Sequence, residues 1–275
     1  MRDAESRREL VLRVFGDLTS GRILAGSGDA LDALIAPEAR HHGSPPSLVD
    51  GPAGARQRYR ELHARMPGVV ATVKRTVADG DLVGVHWHAA TDPSDEFSGE
   101  SWCEFFRFVG DQVAEHWQLH VDVPPSTVSG RSVFSDAYRP PAGMQFGGPA
   151  RTATNREAAS AAFARFLDFD PTVVADHWDD VYLQHNESIP DGPEALRRSL
   201  EEIGSLPEHF RPSFTVIATA AEGDLVWFLE RVRVGGESGF GADIFRLVDG
   251  RIVEHWDVPA LRPRGGGAGS AGPGT

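Results

Sequence analysis

Thiols and basic side chains are scarce in this sequence. Cys103 is the only cysteine, so an intrachain disulfide and a metal site built from several thiolates are excluded. Lys and Arg number 27 against 40 Asp and Glu, which gives a formal net charge of −13. Nucleic acids and anionic lipid surfaces both require a basic surface, so we expect neither as a partner.

Long apolar runs are also missing. No stretch approaches the roughly 18 residues that a membrane span requires. The first eight residues mix charges and lack the apolar core of a signal peptide. We therefore expect a cytoplasmic protein with no membrane partner. The apolar fraction of 40% is ordinary for a folded globular chain.

The sequence does contain an internal repeat. Three strings recur in the same order: Asp-Gly-Pro at 50–52 and 191–193, Gly-Asp-Leu-Val at 80–83 and 223–226, and Glu-His-Trp at 115–117 and 254–256. Ordered matches at similar gaps indicate a duplicated domain. The sequence therefore predicts a first domain at 1–122, a linker at 123–154, a second domain at 155–262 and a disordered tail at 263–275.

Each half has the same predicted order of elements. An amphipathic helix opens it, with Val11, Val14, Phe15 and Leu18 at helical spacing in the first copy. A short strand follows, and a second helix begins at the Asp-Gly-Pro string. The remaining strands are separated by Gly-Asp and Asp-Gly turns. This order predicts α+β domains in which helices lie on one face of a curved antiparallel sheet.

The closing segment of the second half, Asp243 to Val258, resembles the last hairpin of the SnoaL-like branch of the nuclear-transport-factor-2-like superfamily. The string Tyr-Leu-Gln-His-Asn at 182–186 is similar to a second signature of that branch, and the first half matches more loosely through Glu-His-Trp-Gln at 115–118. The resemblance implies two tandem cone-like α+β barrel domains, each with a pocket. It also implies a cofactor-independent enzyme of the polyketide-cyclase or isomerase type, with a small-molecule substrate and no metal.

Strand alternation in the closing hairpin predicts which side chains share the pocket. A three-residue turn at 248–250 would place Asp243 opposite His255 and gather Phe245 and Asp257 on the same face. A two-residue turn at 249–250 would instead bring Trp256 and Glu254 beside Asp243. We favour the first register because it collects an imidazole and two carboxylates at one place.

The same hairpin register in the first copy would place Glu104, His116 and Gln118 together on one face of the sheet. By resemblance, the acid/base carboxylate of the last strand is Asp257, and Gln118 at the matching position cannot act as a base. The second copy is therefore the better candidate for chemistry. The candidate catalytic residues, chosen for proton transfer, are Asp257, Asp243, His255, Glu104 and His116.

The candidate substrate-binding residues include two histidines, His86 and His88, that point the same way from one strand. His-x-His on a strand is a weak metal signal when no acidic ligand is spaced with it, so we expect these side chains to line the first pocket. The full substrate-binding set is His185, Asn186, His42, His86, His88, Gln118, Phe245 and Trp227.

Three functions stay open at this point. The first is a cyclase, isomerase or hydratase that acts on a carbonyl-rich, polyketide-like molecule. The second is an epoxide hydrolase or ether-forming cyclase, and the third is a non-catalytic small-molecule-binding or assembly module. The two domains are expected to pack sheet to sheet as a pseudo-dimer within one chain, and a further homo-oligomer stays open.

Overall fold

The computed structural model of the chain describes residues 3–21, 29–43, 49–142 and 146–259. The tail predicted at 263–275 lies outside the described residues. Within them, no helix is long and apolar enough to cross a membrane.

The chain forms two successive α+β domains. The first domain runs from α1 to β5: α1 Ala4–Thr19, α2 Asp29–Leu34, β1 Ile35–Gly43, α3 Gly51–Arg65, β2 Val70–Asp79, β3 Leu82–Ala90, β4 Glu100–Val109 and β5 Gln112–Asp122. The second runs from α4 to β10: α4 Thr152–Leu167, α5 Val173–His177, β6 Trp178–Gln184, α6 Pro193–Ser205, β7 Ser213–Glu222, β8 Leu225–Val234, β9 Glu237–Val248 and β10 Arg251–Val258. Short 3₁₀ helices occupy Pro149–Arg151 and Glu208–Phe210.

Each domain contains one five-stranded sheet with the same strand order. The orders are β1-β5-β4-β3-β2 and β6-β10-β9-β8-β7. The first strand of each domain pairs in parallel with the last, and the other pairs are antiparallel. The predicted α+β class is confirmed, but the sheets are mixed and do not close into barrels. In each domain the first two strands, β1 and β2 or β6 and β7, form opposite edges of the sheet. The helix between them therefore crosses the sheet face, and the first strand pairs with the last strand of the domain.

The inner face of each sheet packs against its own helices. In the first domain Val11, Val14 and Phe15 of α1 lie in one core with Val85 and Trp87 of β3. In the second domain Phe163 of α4 stacks on Phe228 of β8, with ring centroids 4.2 Å apart. The predicted amphipathic opening helices are therefore present in both copies.

The outer faces of the two sheets pack against each other and form a third core. Phe105 and Trp117 of the first domain share it with Trp227, Ile244 and Trp256 of the second. This is the sheet-to-sheet packing predicted from the duplication. Burial of several large aromatic side chains supplies a substantial apolar driving force for keeping the domains together.

Matched polar contacts frame this shared core. The backbone N–H of Ala78 donates to Glu222 over 3.1 Å, and that of Ala221 donates to Asp79 over 3.0 Å. Glu222 also pairs with an arginine of α1, and Asp79 pairs with an arginine of α4. The two domains thus use equivalent residues toward each other, as the subunits of a symmetric dimer do.

The segment after β5, residues 123–142, packs on both domains and is called the connecting segment below. Its Phe134 lies against the rings of His86 and His88, with centroids 5.5 and 4.5 Å away. Its Ser135 carbonyl accepts a hydrogen bond from the Trp256 indole over 2.9 Å. This part of the predicted linker is therefore packed on the two domains.

Gly84 allows the two sheets to approach. A Cβ at this position would lie 2.9 Å from Val77 Cγ1 and 3.0 Å from the Trp227 ring. We expect Gly84→Ala to lower the free energy of unfolding by about 1–3 kcal/mol, because overpacking forces neighbouring groups to shift. Chemical denaturation followed by tryptophan fluorescence measures this change.

The matched control is Gly16→Ala in α1, where a Cβ meets nothing within 4 Å. Replacing a helical glycine by alanine should stabilise the protein by up to about 1 kcal/mol. Equal effects of the two substitutions would contradict the tight sheet contact at Gly84.

Candidate active site

The closing hairpin of the second domain sets the geometry of the site. Its turn has two residues, Asp249 and Gly250, both with positive φ, and Val248 pairs with Arg251. The predicted three-residue turn is wrong, since a type I′ turn matches the twist of the strands better. The register then shifts between Ile252 and Glu254.

This β-bulge brings the expected side chains together by a different route. Asp243 faces Asp257, and Phe245 faces His255, so all four lie on the inner face of the sheet. The predicted direct pairing of Asp243 with His255 is therefore incorrect. Bulges of this kind redirect side chains next to functional sites.

Asp243 and His255 nevertheless make a close contact. His255 Nε2 lies 2.7 Å from Asp243 Oδ1, and His255 Nδ1 lies 3.1 Å from Gln184 Oε1. Gln184 Oε1 also accepts the backbone N–H groups of His185 and Asn186. Because these two donors identify this atom as the oxygen, His255 Nδ1 carries a hydrogen.

Asp257 is the carboxylate that reaches open space. Burial raises its pKa above the usual 3.8, and the charge of Asp243 raises it further, while His255 and Asn186 act in the opposite direction. The Asn186 side-chain amide donates to Asp257 Oδ2 over 2.7 Å. Both residues line a cavity of about 300 Å³. A carboxylate with a raised pKa at such a cavity is suited to general acid/base chemistry.

Glu230 is a third inner-face carboxyl group, and the sequence analysis did not identify it. It lies on β8 opposite Gly241, is 2% exposed, and occupies space that a Cβ on Gly241 would overlap. Burial raises its pKa well above the usual range, and the charge of Asp243 and a hydrogen bond with it act in the same direction. These effects favour the protonated form of Glu230. Glu230 follows the inner-face residues Phe228 and Val226 by two and four positions, so strand alternation could have identified it as an inner-face residue.

The first domain has the same pair in a filled interior. His116 Nε2 lies 2.7 Å from Glu104 Oε2, in the same arrangement as His255 and Asp243. Glu104 also accepts hydrogen bonds from the Tyr59 hydroxyl, the Trp87 indole and the Gln118 amide, and it is 0% exposed. These donors satisfy the carboxylate completely.

Two residue differences explain the filled interior. Trp87 stands where the second domain has Glu230, and Trp102 stands where it has Gly241. The two indoles stack with centroids 5.0 Å apart and occupy the centre of the first domain. The predicted candidates Glu104, His116 and Gln118 thus lie together, but in a packed core.

The comparisons with known proteins agree with the duplicated fold. The profile of the SnoaL-like domain matches residues 19–116 and again residues 159–255. The chain belongs to the SnoaL-like family. No curated protein matches the chain in sequence.

Several solved structures are each similar to a part of the chain about as long as one SnoaL-like domain. A Mesorhizobium loti NTF2-like protein of unknown function is 22% identical, covering 39% of this chain and 91% of that one, with a TM-score of 0.33. IdmH of Streptomyces antibioticus, proposed to be a polyketide cyclase, is 23% identical, covering 42% and 91%, with a TM-score of 0.34. An LEH-like epoxide hydrolase of M. tuberculosis is 18% identical, covering 39% and 83%, with a TM-score of 0.32.

Several predicted binding residues point away from the inner faces of the SnoaL-like domains. His86 contacts Arg75 and Ser101, and His88 contacts the Ser98 carbonyl, so neither lines the first pocket as predicted. The reason is strand alternation, since Trp87 between them points inward. Among the described residues, no group of three or more His, Cys, Asp or Glu side chains is arranged to hold a metal.

The second domain shows the same distinction. Trp227, predicted to bind substrate, lies in the shared core between the sheets, on the opposite face from Asp243. Phe245 is on the inner face, where it stacks on His255 with centroids 4.6 Å apart.

The other two histidines that were predicted to bind substrate stack on the tryptophans of the Glu-His-Trp strings. His42 stacks on Trp117 and His185 stacks on Trp256, with centroids 4.9 and 5.0 Å apart. His185 borders the cavity, but its two ring nitrogens contact the Ser132 carbonyl and Glu254, each over 2.9 Å. The ring therefore has no free nitrogen to offer a ligand in this arrangement.

Glu230→Gln tests the protonated state of the buried acid. Because folding raises the Glu230 pKa from 4.5, the folded chain binds this proton more tightly than the unfolded chain. Wild-type stability from this group is fully present below 4.5 and is lost as pH rises toward the folded pKa, by about 1.4 kcal/mol per pH unit. We expect the variant to gain stability relative to wild type between about pH 5 and pH 7, as measured by urea denaturation.

Glu202→Gln on the exposed surface of α6 is the matched control. Its stability relative to wild type should stay constant over the same range. A pH-independent difference for Glu230→Gln would show that Glu230 is not held as a neutral acid.

Proposed function

We propose that the second SnoaL-like domain is a cofactor-independent acid/base enzyme: a cyclase, isomerase or hydratase acting on a carbonyl-bearing, polyketide-like small molecule. The division at residues 1–122 and 155–262 is part of this proposal. One observation carries it: Asp257 has a raised pKa, opens on a cavity of about 300 Å³, and lies opposite Asp243. An ordinary surface aspartate has neither the cavity nor the neighbouring charge.

Asp257 acts as the general base in this proposal. It removes a proton from the carbon next to a substrate carbonyl, and negative charge develops on the carbonyl oxygen. The Asn186 amide has one N–H on Asp257 and a second N–H that can donate to this oxygen. Return of the proton from Asp257 to another carbon of the enolate completes an isomerisation. In a ring closure the enolate carbon attacks a second carbonyl of the substrate, and the proton goes from Asp257 to the alkoxide oxygen that forms there.

Three other inner-face side chains contribute to the properties of Asp257: Asp243, His255 and Glu230. Burial is the main reason that the pKa of Asp257 is raised, which makes it a stronger base; the charge of Asp243 acts in the same direction and that of His255 in the opposite one. The contact of Asp243 with His255 holds the Asp243 carboxylate in place. Glu230 in its protonated form lies against Asp243 without adding a second negative charge. Paired carboxyl groups with separated pKa values are a common basis for assigning an acid and a base.

The first domain is structural in this proposal. Glu104 is saturated by four donors, and Trp87 and Trp102 fill the space that a substrate would need. A filled interior favours the non-catalytic alternative for this copy.

Epoxide opening is the second candidate reaction. It requires a carboxylic acid that protonates the oxygen and a carboxylate that activates a nucleophile. Glu230, whose pKa burial raises well above the usual range, lies beside Asp243 on the inner face and is the candidate acid for this reaction. Diol formation from a panel of small epoxides, with no deuterium exchange into ketones, would favour this reaction over the first.

Asp257→Asn tests the base. We expect a loss of about 10²–10⁴-fold in the rate of deuterium exchange from D₂O next to the carbonyl of cyclic ketones and diketones, because the amide cannot accept the proton. NMR spectroscopy follows the exchange, and circular dichroism checks folding.

Asp249→Asn is the matched control, since Asp249 lies in the hairpin turn with an exposed side chain that pairs with Arg151. This variant should exchange deuterium at the wild-type rate. Undiminished exchange by Asp257→Asn would remove Asp257 from the mechanism.

The pH dependence of exchange provides a separate test. A general base must be unprotonated, so kcat/KM should fall as pH drops through the pKa of Asp257, which burial raises above 3.8. We expect the acid limb of the profile to have its midpoint above that value. A midpoint at or below 3.8 would contradict a buried Asp257 as the base.

A further inference from the structure

We propose that the first domain and the connecting segment form the substrate-selecting wall of the cavity in the second domain. This inference rests on the proposed function only in assigning the cavity to substrate. It gives the packed first domain a role in specificity rather than in chemistry.

The cavity lies where three parts of the chain meet. Val121, at the end of β5, comes from the first domain, and Pro124 and Val133 come from the connecting segment. Asp257 and Asn186 of the second domain lie on the same cavity. The proposed base therefore faces a space whose opposite side belongs to the other copy.

The wall is built from fixed elements. Ser101, which also lines the cavity, is 2% exposed and contacts His86 Nε2 over 3.0 Å. On the connecting segment, the Ser132 hydroxyl donates to Glu96 of the first domain, and the Ser132 carbonyl contacts His185 of the second. Substrate contacts on such a wall are held in position before binding, which favours selectivity.

The connecting segment also positions the rim of the cavity. The Val128 N–H donates to the Glu187 carbonyl over 3.1 Å, and Arg131 pairs with Asp191. These contacts hold the loop after β6, whose Glu187, Ser188 and Ile189 line the cavity. A change in the connecting segment would therefore alter the entrance as well as the wall.

The chemistry of the lining indicates the class of ligand. Apolar side chains dominate it, namely Val121, Pro124, Val133, Ile189, Ile203 and Pro259, and the amide–carboxylate pair of Asn186 and Asp257 lies on the same cavity. This lining suits a flat apolar ring body with an oxygen at one end. A volume of about 300 Å³ is at the small end of ligand pockets, which favours a molecule of two or three rings.

The test uses 2-naphthol, a fluorescent two-ring phenol whose O–H can donate to Asp257. Fluorescence titration measures its dissociation constant for the full chain and for Val121→Trp, which fills the cavity from the first domain. We expect saturable binding by wild type and a loss of affinity of at least about tenfold in the variant, because the indole takes the space of the ring body. Val133→Trp makes the same test from the connecting segment if Val121→Trp fails to fold.

Val109→Trp is the matched control. Val109 lies at the end of β4 in the first domain, is 72% exposed and does not line the cavity. It should bind 2-naphthol as wild type does. Wild-type affinity in both wall variants, or no saturable binding by wild type, would overturn the proposed wall. Failure of the proposed function would be detected separately, because deuterium exchange would then persist in Asp257→Asn.

Discussion

The packing of the two outer sheet faces is the constraint on which the rest of the structure depends. Phe105, Trp117, Trp227 and Trp256 fill the space between the sheets, so strand residues that point outward must be apolar or paired with the connecting segment. Helices cover the inner faces, and those interiors are the places left for polar chemistry. Gly84 marks how closely the sheets approach, because even a Cβ would meet the Trp227 ring there.

The two interiors show how a few substitutions distinguish a packed copy from one that has several carboxyl groups on its inner face. Both retain an imidazole Nε2 that lies 2.7 Å from a carboxylate. In the first domain four donors and two stacked indoles enclose that carboxylate. In the second, Gly241 leaves room for Glu230. Burial raises the pKa of Asp257 and of Glu230, and the charge of Asp243 acts in the same direction on both. Neighbouring negative charges and burial disfavour ionisation together, which is a common route to acid/base groups.

Covalent fusion of the copies has a structural consequence for the cavity. Because the sheets are packed face to face, the end of β5 and the connecting segment lie beside the entrance of the second domain. Asp136 of that segment accepts a hydrogen bond from Arg246 over 2.9 Å and lies 3.5 Å from Arg75 of the first domain. One segment thus contacts both sheets while it lines the cavity. This arrangement connects domain packing with the proposed substrate selection.

The sequence alone determined the duplication, the order of helices and strands, the α+β class and the family. Recurring strings and the apolar period of the helices carry that information locally. The inward grouping of Asp243, His255 and Asp257 was predicted, but from a three-residue turn that the structure does not have. Only the tertiary structure decided the register, since a bulge after Ile252 compensates for a two-residue turn. It also decided which copy is open, because Trp102 stacks on Trp87 of the neighbouring strand, whereas Gly241 leaves room for Glu230 of its neighbouring strand. The pKa of a buried carboxyl group depends on its burial and on charges from several strands, so no local sequence pattern predicts it.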